Sequence, residues 1–480
     1  MAEVQISGDD ENIEVLFDED NNVMSPADLP MEDNIPFGEN LAEYIDEGTL
    51  GQIASELESS YQDDVSSRQD WYETFRDGLE LLGIENEPRS EPFEGASGVF
   101  HPLLAEAATH FQAQAYKELL PANGPVDTKV IGASNNPKAM QANRVKDFMN
   151  YQLMYKMEEY DPEMDQMLFF LPLAGSAFKK CYFDPAMGRV VSRFIKAEDL
   201  VVPYTATDLH TTPRITHVIK MTENDMRKLQ LSGFYRDLDM MNPGYAPDEN
   251  AVQEKIDEIE GVSRTGNSEQ YTLLECHVEL DIEGFEHTDA SGEPTGLALP
   301  YIVTICQDNN KVLAIRQNYI ENDPMRKKIE YFTHYKFLPG LGFYGFGLIH
   351  MIGGVTKSAT AILRQLIDAG TLSNLPAGFK SRGLNIQRAD DPVQPGEWRD
   401  VDAPGGSLSQ SFMPLPYKEP SGTLAQLMGV LVESGQRFAA VMDQQTGDAN
   451  SQAPVGTTVA LLEKGQKVIS SIHKRLHYAQ

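Results

Sequence analysis

Three cysteines in 480 residues, Cys181, Cys276 and Cys306, stand far apart and at no metal-ligating spacing. A set that is sparse and odd in number excludes a disulfide framework and points to a reduced intracellular compartment. Each reads as a small buried apolar residue rather than a nucleophile. Basic residues are also scarce. Lys and Arg number 39 against 73 Asp and Glu, a formal net charge of −34, and the first basic residue is Arg68. That balance excludes the phosphate-gripping surface of an ordinary nucleic-acid binder. It leaves room for a protein that lets DNA pass without holding it. The acidic N-terminus lacks the basic start of a signal peptide. No apolar run approaches the roughly 18 residues of a membrane span. Met164–Ala174 comes nearest, and it is short and contains Pro172.

Catalytic patterns are missing too. There is no G-x-S-x-G, no Walker A sequence and no zinc pattern. His101, His110, His210, His217, His287, His334 and His350 are scattered, no two of them at H-x-x-x-H spacing. Gly340-Leu-Gly342-Phe-Tyr-Gly345 matches the dinucleotide pattern G-x-G-x-x-G between a strand and a helix. The acidic residue that should close a βαβ unit is absent. Its nearest substitute, Asp368, falls inside a long helix, and the preceding strand carries Glu330, Thr333 and His334. The glycines read instead as a flexible turn between body and helix. No cofactor or metal is implied, and the chain reads as a non-enzyme.

What is present is a helical C-terminal third. Leu348, Ile352, Val355, Ala359, Ile362 and Leu366 recur at spacings of four and three. Leu424, Leu427, Leu431, Ser434, Phe438 and Val441 do the same. Such a stripe stays in register with a neighbouring helix. Two helices, Leu348–Leu372 and Thr423–Gln445, each roughly 35 Å long, suggest an antiparallel pair.

Upstream, residues 1–47 are too acidic to bury much surface and read as a disordered or loosely draped arm. Residues 48–339 form an α+β body. Its helices are expected at Ile53–Leu82, His101–Leu120 and Asn136–Glu159, the last with Val145, Phe148, Met149 and Leu153 inward. Its strands are expected at Ala177–Phe183, Arg189–Ile195, Ile215–Met221, Tyr271–Ile282, Tyr301–Gln307, Lys311–Gln317 and Ile329–Phe337. A helix from Thr222 to Leu231 has Thr222 as its N-cap. Then come the first long helix (340–373), an insert (374–420), the second long helix (421–443), a polar loop (444–454) and a last amphipathic helix (455–480). The loop Gln444-Gln445-Thr446-Gly447-Asp448-Ala-Asn450-Ser451-Gln452 has little to pack and almost no charge.

These parts, in this order, resemble tailed-bacteriophage portal proteins, most closely those of short-tailed phages. The resemblance rests on the Phe-Tyr344-Gly345 turn with its long helix, the Asn374-Leu-Pro-Ala-Gly-Phe insert, the second helix and the passage Val441–Thr458. Lys179-Lys-Cys-Tyr-Phe-Asp184-Pro, Glu198-Asp199-Leu200, Met221-Thr-Glu-Asn-Asp-Met226 and Gly233-Phe-Tyr235 add to it. It implies a ring, a dodecamer, at one capsid vertex of the virion, assembled in the bacterial cytoplasm. In it, 48–339 is the wing, and 340–373 and 421–443 are the stem. Stem contacts are expected at Leu348, Ile352, Val355, Ile362, Leu366, Leu424, Leu427, Leu431 and Phe438. Residues 374–420 become a small α/β clip, with Phe379, Leu384, Ile386 and Trp398 as docking residues for the terminase large subunit and then the tail adaptor. Residues 444–454 become a tunnel loop facing double-stranded DNA. Capsid and scaffolding proteins are further implied partners, and no membrane is. Portals of this kind continue into a helical crown. This sequence stops at Gln480, so a crown is either absent or lies beyond it. A head-to-tail adaptor ring and a nucleotide-binding enzyme are the rival readings.

Overall fold

The computed structural model describes residues 35–84, 88–132, 136–185, 187–239, 251–260, 270–288, 294–321, 323, 325–374, 378–380, 385–386, 401–402, 412–414, 417–440 and 471–480. The chain is α+β. It divides into two compact units, one made of residues up to Leu79 with Ala108–Met351 and Lys467–Gln480, the other of Glu80–Ala107 with Ile352–Gln466.

The first unit is built on a five-stranded antiparallel sheet in the order β3 (Leu200–Val201), β4 (Arg214–Thr222), β5 (Gln270–Leu280), β6 (Leu299–Cys306), β7 (Lys311–Gln317). Its central strands are covered on both faces. Leu274, Cys276, Val303 and Ile305 pack with Leu50, Ala54 and Leu57 of helix α1 (Glu47–Ser67). Tyr271, Leu273, Leu313 and Ala314 form a second cluster with Met226 and Tyr235. Burial on both sides explains why β6 reads as a nearly continuous apolar run.

The acidic arm ends earlier than residue 47. Leu41, Ala42 and Ile45 are core residues. Asn40 is buried on the outermost strand: its side-chain amide donates to the Leu313 carbonyl and its oxygen accepts from the Ile315 N–H, both at 3.0 Å. Two exposed hydrogen-bonding groups of an edge strand are thereby satisfied. Residues 1–34 lie outside the described residues.

The expected helix Ile53–Leu82 is broken at Arg68, between α1 and α2 (Gln69–Leu79). The guanidinium explains the break. It donates to the carbonyls of Ala197, Glu198 and Leu200 and to the Tyr344 hydroxyl, at 2.5–2.9 Å. Trp71, on the next turn, stacks on Tyr344 with ring centres 4.7 Å apart.

Helix α3 (Leu103–Leu119) and helix α4 (Asn136–Tyr151) follow. For α4 the expected orientation fails: Val145, Phe148 and Met149 are exposed, and Leu153 is only half-buried. Helix α5 (Tyr160–Ala174) is the apolar stretch with Pro172; nearly every side of it is buried, as its composition demands. It packs on a three-stranded antiparallel sheet, β2 (Arg189–Ile195), β1 (Ser176–Asp184), β8 (Phe332–Lys336). Thr222 caps α6 (Glu223–Leu231) as expected, accepting from the Asp225 N–H. Helix α7 (Ala251–Glu260) lies on α2, where the Val252 N–H donates to the Tyr72 hydroxyl at 3.0 Å. The last residues, helical over 471–479, return to this unit. Ile472 and Leu476 are buried, and Arg475 donates to the Phe337 carbonyl at 2.8 Å.

The glycine turn before helix α8 (Leu348–Asn374) is not a hinge. Gly175 ends α5 in the left-handed conformation (φ 84°). Gly345 lies against it, its N–H donating to Ser176 Oγ at 2.8 Å. A Cβ on Gly345 would be driven into the carbonyl oxygens of Gly175 and Leu338, and one on Gly347 into that of Leu173. The glycines are needed for backbone-to-backbone contact.

Gly342, in the same turn, has open space around it. Gly345→Ala should therefore destabilise the chain by roughly 3 kcal/mol, while Gly342→Ala should be nearly neutral. Denaturant midpoints of the two variants decide this. Equal losses would restore the flexible-turn reading.

Candidate functional site

In the second unit, α8 and α9 (Gly422–Ala440) are the two expected long helices. The residues around α8 were not all anticipated. Thr360, Arg364 and Asp368 stand four residues apart, so they share one face. The segment before α3 is strapped along that face. Asp368, almost fully buried, accepts from the Ser97 N–H at 2.7 Å. Arg364 donates to the carbonyls of Val99 and Gly98 at 2.9 and 3.3 Å, and its guanidinium lies 4.4 Å from the Phe100 ring centre. Thr360 Oγ1 accepts from the His101 N–H at 3.1 Å. Arg89 adds a longer ion pair to Asp368. The sequence held a usable signal, a polar stripe at helical spacing in an otherwise apolar helix.

Helix α9 meets its neighbours at Gly435, its one buried residue among those described. A Cβ there would come within 2.5 Å of Leu103 and 3.4 Å of Val355. The contact line is therefore rotated from the Leu431–Ser434 seam that the spacing suggests. Of the expected stem residues, Leu348 and Ile352 are buried, and Val355, Ile362, Leu366, Leu424 and Leu431 are half-buried. Leu427 is 47% exposed and Val430, one turn along, 62%. Phe438 lies in the last turn of α9. Among the described residues, α9 thus presents exposed apolar surface at Leu427 and Val430.

The insert shows two small antiparallel pairs. Gly378–Lys380 pairs with Phe412–Pro414, placing Phe379 opposite Met413. Asn385–Ile386 pairs with Val401–Asp402, placing Ile386 opposite Val401. Leu384, Trp398 and the whole polar loop 444–454, with Gln444, Gln445, Thr446, Gly447, Asp448, Asn450, Ser451 and Gln452, lie outside the described residues.

Titratable side chains do converge at one place in the first unit. Lys180 on β1 reaches both oxygens of Glu275 on β5, at 2.5 and 2.7 Å. His277 Nε2 is 2.8 Å from the same carboxylate and His217 Nδ1 3.9 Å. Burial alone would raise the Glu275 pKa, but Lys180 and then His277 hold it well below the usual carboxylate range. Burial pushes His217 down to about 3 and lowers His277 despite the carboxylate beside it. A cavity of about 20 Å³ adjoins His277, room for one water and no substrate. Among the described residues no group of three or more His, Cys, Asp or Glu is placed to hold a metal ion. The cluster ties the two sheets together through the Lys180–Glu275 pair.

A family model described as phage SU10 portal protein matches residues 184–450, more than half of the chain. The match runs from the end of β1 through the strapped helix and α9. No curated protein matches the chain.

Two measurements follow from this geometry. His217 has a folded-state pKa near 3 against 6.5 when free, so the unfolded chain binds more protons between those values. Its contribution is present above pH 6.5 and is lost as pH falls, removing about 2 kcal/mol between pH 7 and 5. Melting temperature should fall over that range, and His217→Gln should flatten the profile. Separately, Asp368→Ala leaves the Ser97 N–H unpaired at a cost of roughly 2 kcal/mol. Hydrogen exchange across residues 95–101 should then quicken; unchanged protection would mean that the strap is held elsewhere.

Proposed function

The chain belongs to the phage SU10 portal protein family, and from that premise we propose that it is the ring subunit of a short-tailed phage, twelve copies enclosing the channel through which the genome is packaged and ejected. The family is structural and implies a homo-oligomeric ring in the capsid. The observation that carries the reading is the bare apolar side of α9 in a single chain, at Leu427 and Val430. An isolated helix face of this kind is expected to find a partner, and in a ring each copy supplies one to the next.

Charge supports the channel role. Lys and Arg contacts to phosphate would act as a brake on sliding DNA, and a chain of net charge −34 offers few of them. We assign the channel contact to 444–454, whose Gln, Thr, Asn and Ser side chains can touch phosphates without a salt-dependent grip. The insert 374–420 is assigned to docking the terminase large subunit and later the tail adaptor, with Trp398 as an anchor, since buried aromatics dominate interface energies. Capsid and scaffolding proteins are the remaining partners of such a ring.

Electron microscopy of the purified chain tests the reading. Twelve chains of 53.4 kDa give ring particles of about 0.6 MDa. Leu431→Asp places an uncompensated charge beside the α9 contact line and should abolish rings, at a cost of several kcal/mol. Asn450→Lys with Gln452→Lys should leave rings intact and slow packaging. A wild-type chain that stays monomeric at all concentrations, or a double variant that packages at the normal rate, counts against the respective assignment.

A further inference from the structure

No residue of α4, or of the π-helical turn Gln152–Lys156 that follows it, is buried. Position on the helix shows which side is covered. Ala142, Lys146 and Asn150, four residues apart, face the preceding segment of their own chain. Thr128 Oγ1 donates to the Ala142 carbonyl at 2.9 Å, and the Lys146 ammonium lies 2.8 Å from Asp127 Oδ1. The Asn150 side chain accepts from the Val126 N–H at 2.9 Å and donates to its carbonyl at 3.0 Å. These polar contacts close the arm on itself.

Met140, Arg144, Phe148 and Tyr151 occupy the other side, at spacings of four, four and three. Met140 and Phe148 are each 61% exposed and Tyr155, just beyond, 76%. Val145 borders this side and is also exposed. Soluble proteins rarely leave a contiguous apolar surface of this kind without a use for it.

Charge narrows the partner. Residues 126–156 hold five basic side chains (Lys129, Lys138, Arg144, Lys146, Lys156) and two acidic ones (Asp127, Asp147), in a chain of net charge −34. A basic arm attracts either phosphate or acidic protein surface. The apolar residues decide between them: Met140, Val145, Phe148 and Met149 gain nothing from a phosphate backbone, and Lys146 is already engaged with Asp127. Another copy of this chain supplies acid in excess. Helices α1 and α2 alone expose Glu56, Asp63, Asp70, Glu73 and Asp77.

We propose that the α4 arm is a subunit contact, its Met140–Arg144–Phe148–Tyr151 side docking on an acidic face of a second copy of this chain. The contact is heterologous, as a ring requires, and the proposal rests on the ring reading above.

The test uses the full chain. Phe148→Cys, in a Cys181→Ser background, is labelled with a maleimide dye in rings and in dissociated subunits. The thiol at position 148 should react at least tenfold more slowly in rings. Met140→Asp with Phe148→Asp should raise the concentration needed for assembly at least tenfold. The subunit's melting temperature should not change, because Met140 and Phe148 are each 61% exposed in the single chain. Equal labelling in both states overturns the proposal, and so does protection in both, which would mean that the chain covers its own arm. Rings unaffected by the aspartates, with duplex DNA binding lost instead, would assign the arm to nucleic acid and overturn it as well. A wild-type chain that never assembles overturns the ring reading and this proposal together. Intact rings with a fast-reacting thiol overturn this proposal alone.

Discussion

The body of this protein depends on one buried guanidinium. Arg68 lies at the junction of α1 and α2 and is 8% exposed. An arginine taken out of water is costly unless its donors are satisfied. Here three carbonyls of the 197–200 segment and the Tyr344 hydroxyl satisfy most of them. That set of acceptors fixes the chain between β2 and β3, and through Tyr344 it fixes the turn that leads into α8. Trp71 stacks on Tyr344 and Phe75 meets Phe170 of α5 edge-on at 5.5 Å. The helix break, the loop and the glycine turn are therefore a single packing unit. Glu198, whose carbonyl is one of the acceptors, is fully enclosed, and burial raises its carboxyl to about 7. The junction thus relies on backbone oxygens, whose partial charges do not titrate.

What could be read from the sequence is what local physics decides. The bounds of β2 and β7 and the cap at Thr222 follow from alternation and turn chemistry, and the structure agrees. What could not be read depends on distant partners. Nothing near Arg68 in sequence says that carbonyls from 197–200 will end a helix there. Periodicity in α4 points Val145, Phe148, Met149 and Leu153 inward, yet the first three are exposed and Leu153 is only half-buried, because the pattern says nothing of what is there to cover them. The glycine turn was located correctly for a reason that proved different: its glycines permit contact with Gly175 and Leu173 rather than motion. Asp368 illustrates the same limit. Tested against a nucleotide pattern, it fails; placed in three dimensions, it holds a strap. For the candidate site, the two long helices were legible as helices, whereas the line along which α9 is buried was not, because a glycine gives no apolar signal.

Net charge sets the terms on which such a chain can associate. Every copy carries the same large negative charge, so the mean field opposes assembly at any separation within the Debye length, about 8 Å at physiological salt. Association then needs local surfaces that depart from the mean. Two of different kinds stand among the described residues. On α9, Leu427 and Val430 offer apolar area with almost no charge, the ion pair Arg437–Glu433 being internal to that helix. On α4, apolar area comes together with a local excess of positive charge. The first gains from water exclusion and is insensitive to salt. The second gains from opposite charge on its partner and weakens as salt rises. Either a two-fold or a head-to-tail contact could set a basic arm against an acidic part of a second copy, and of the two only the head-to-tail contact can close a ring of more than two copies.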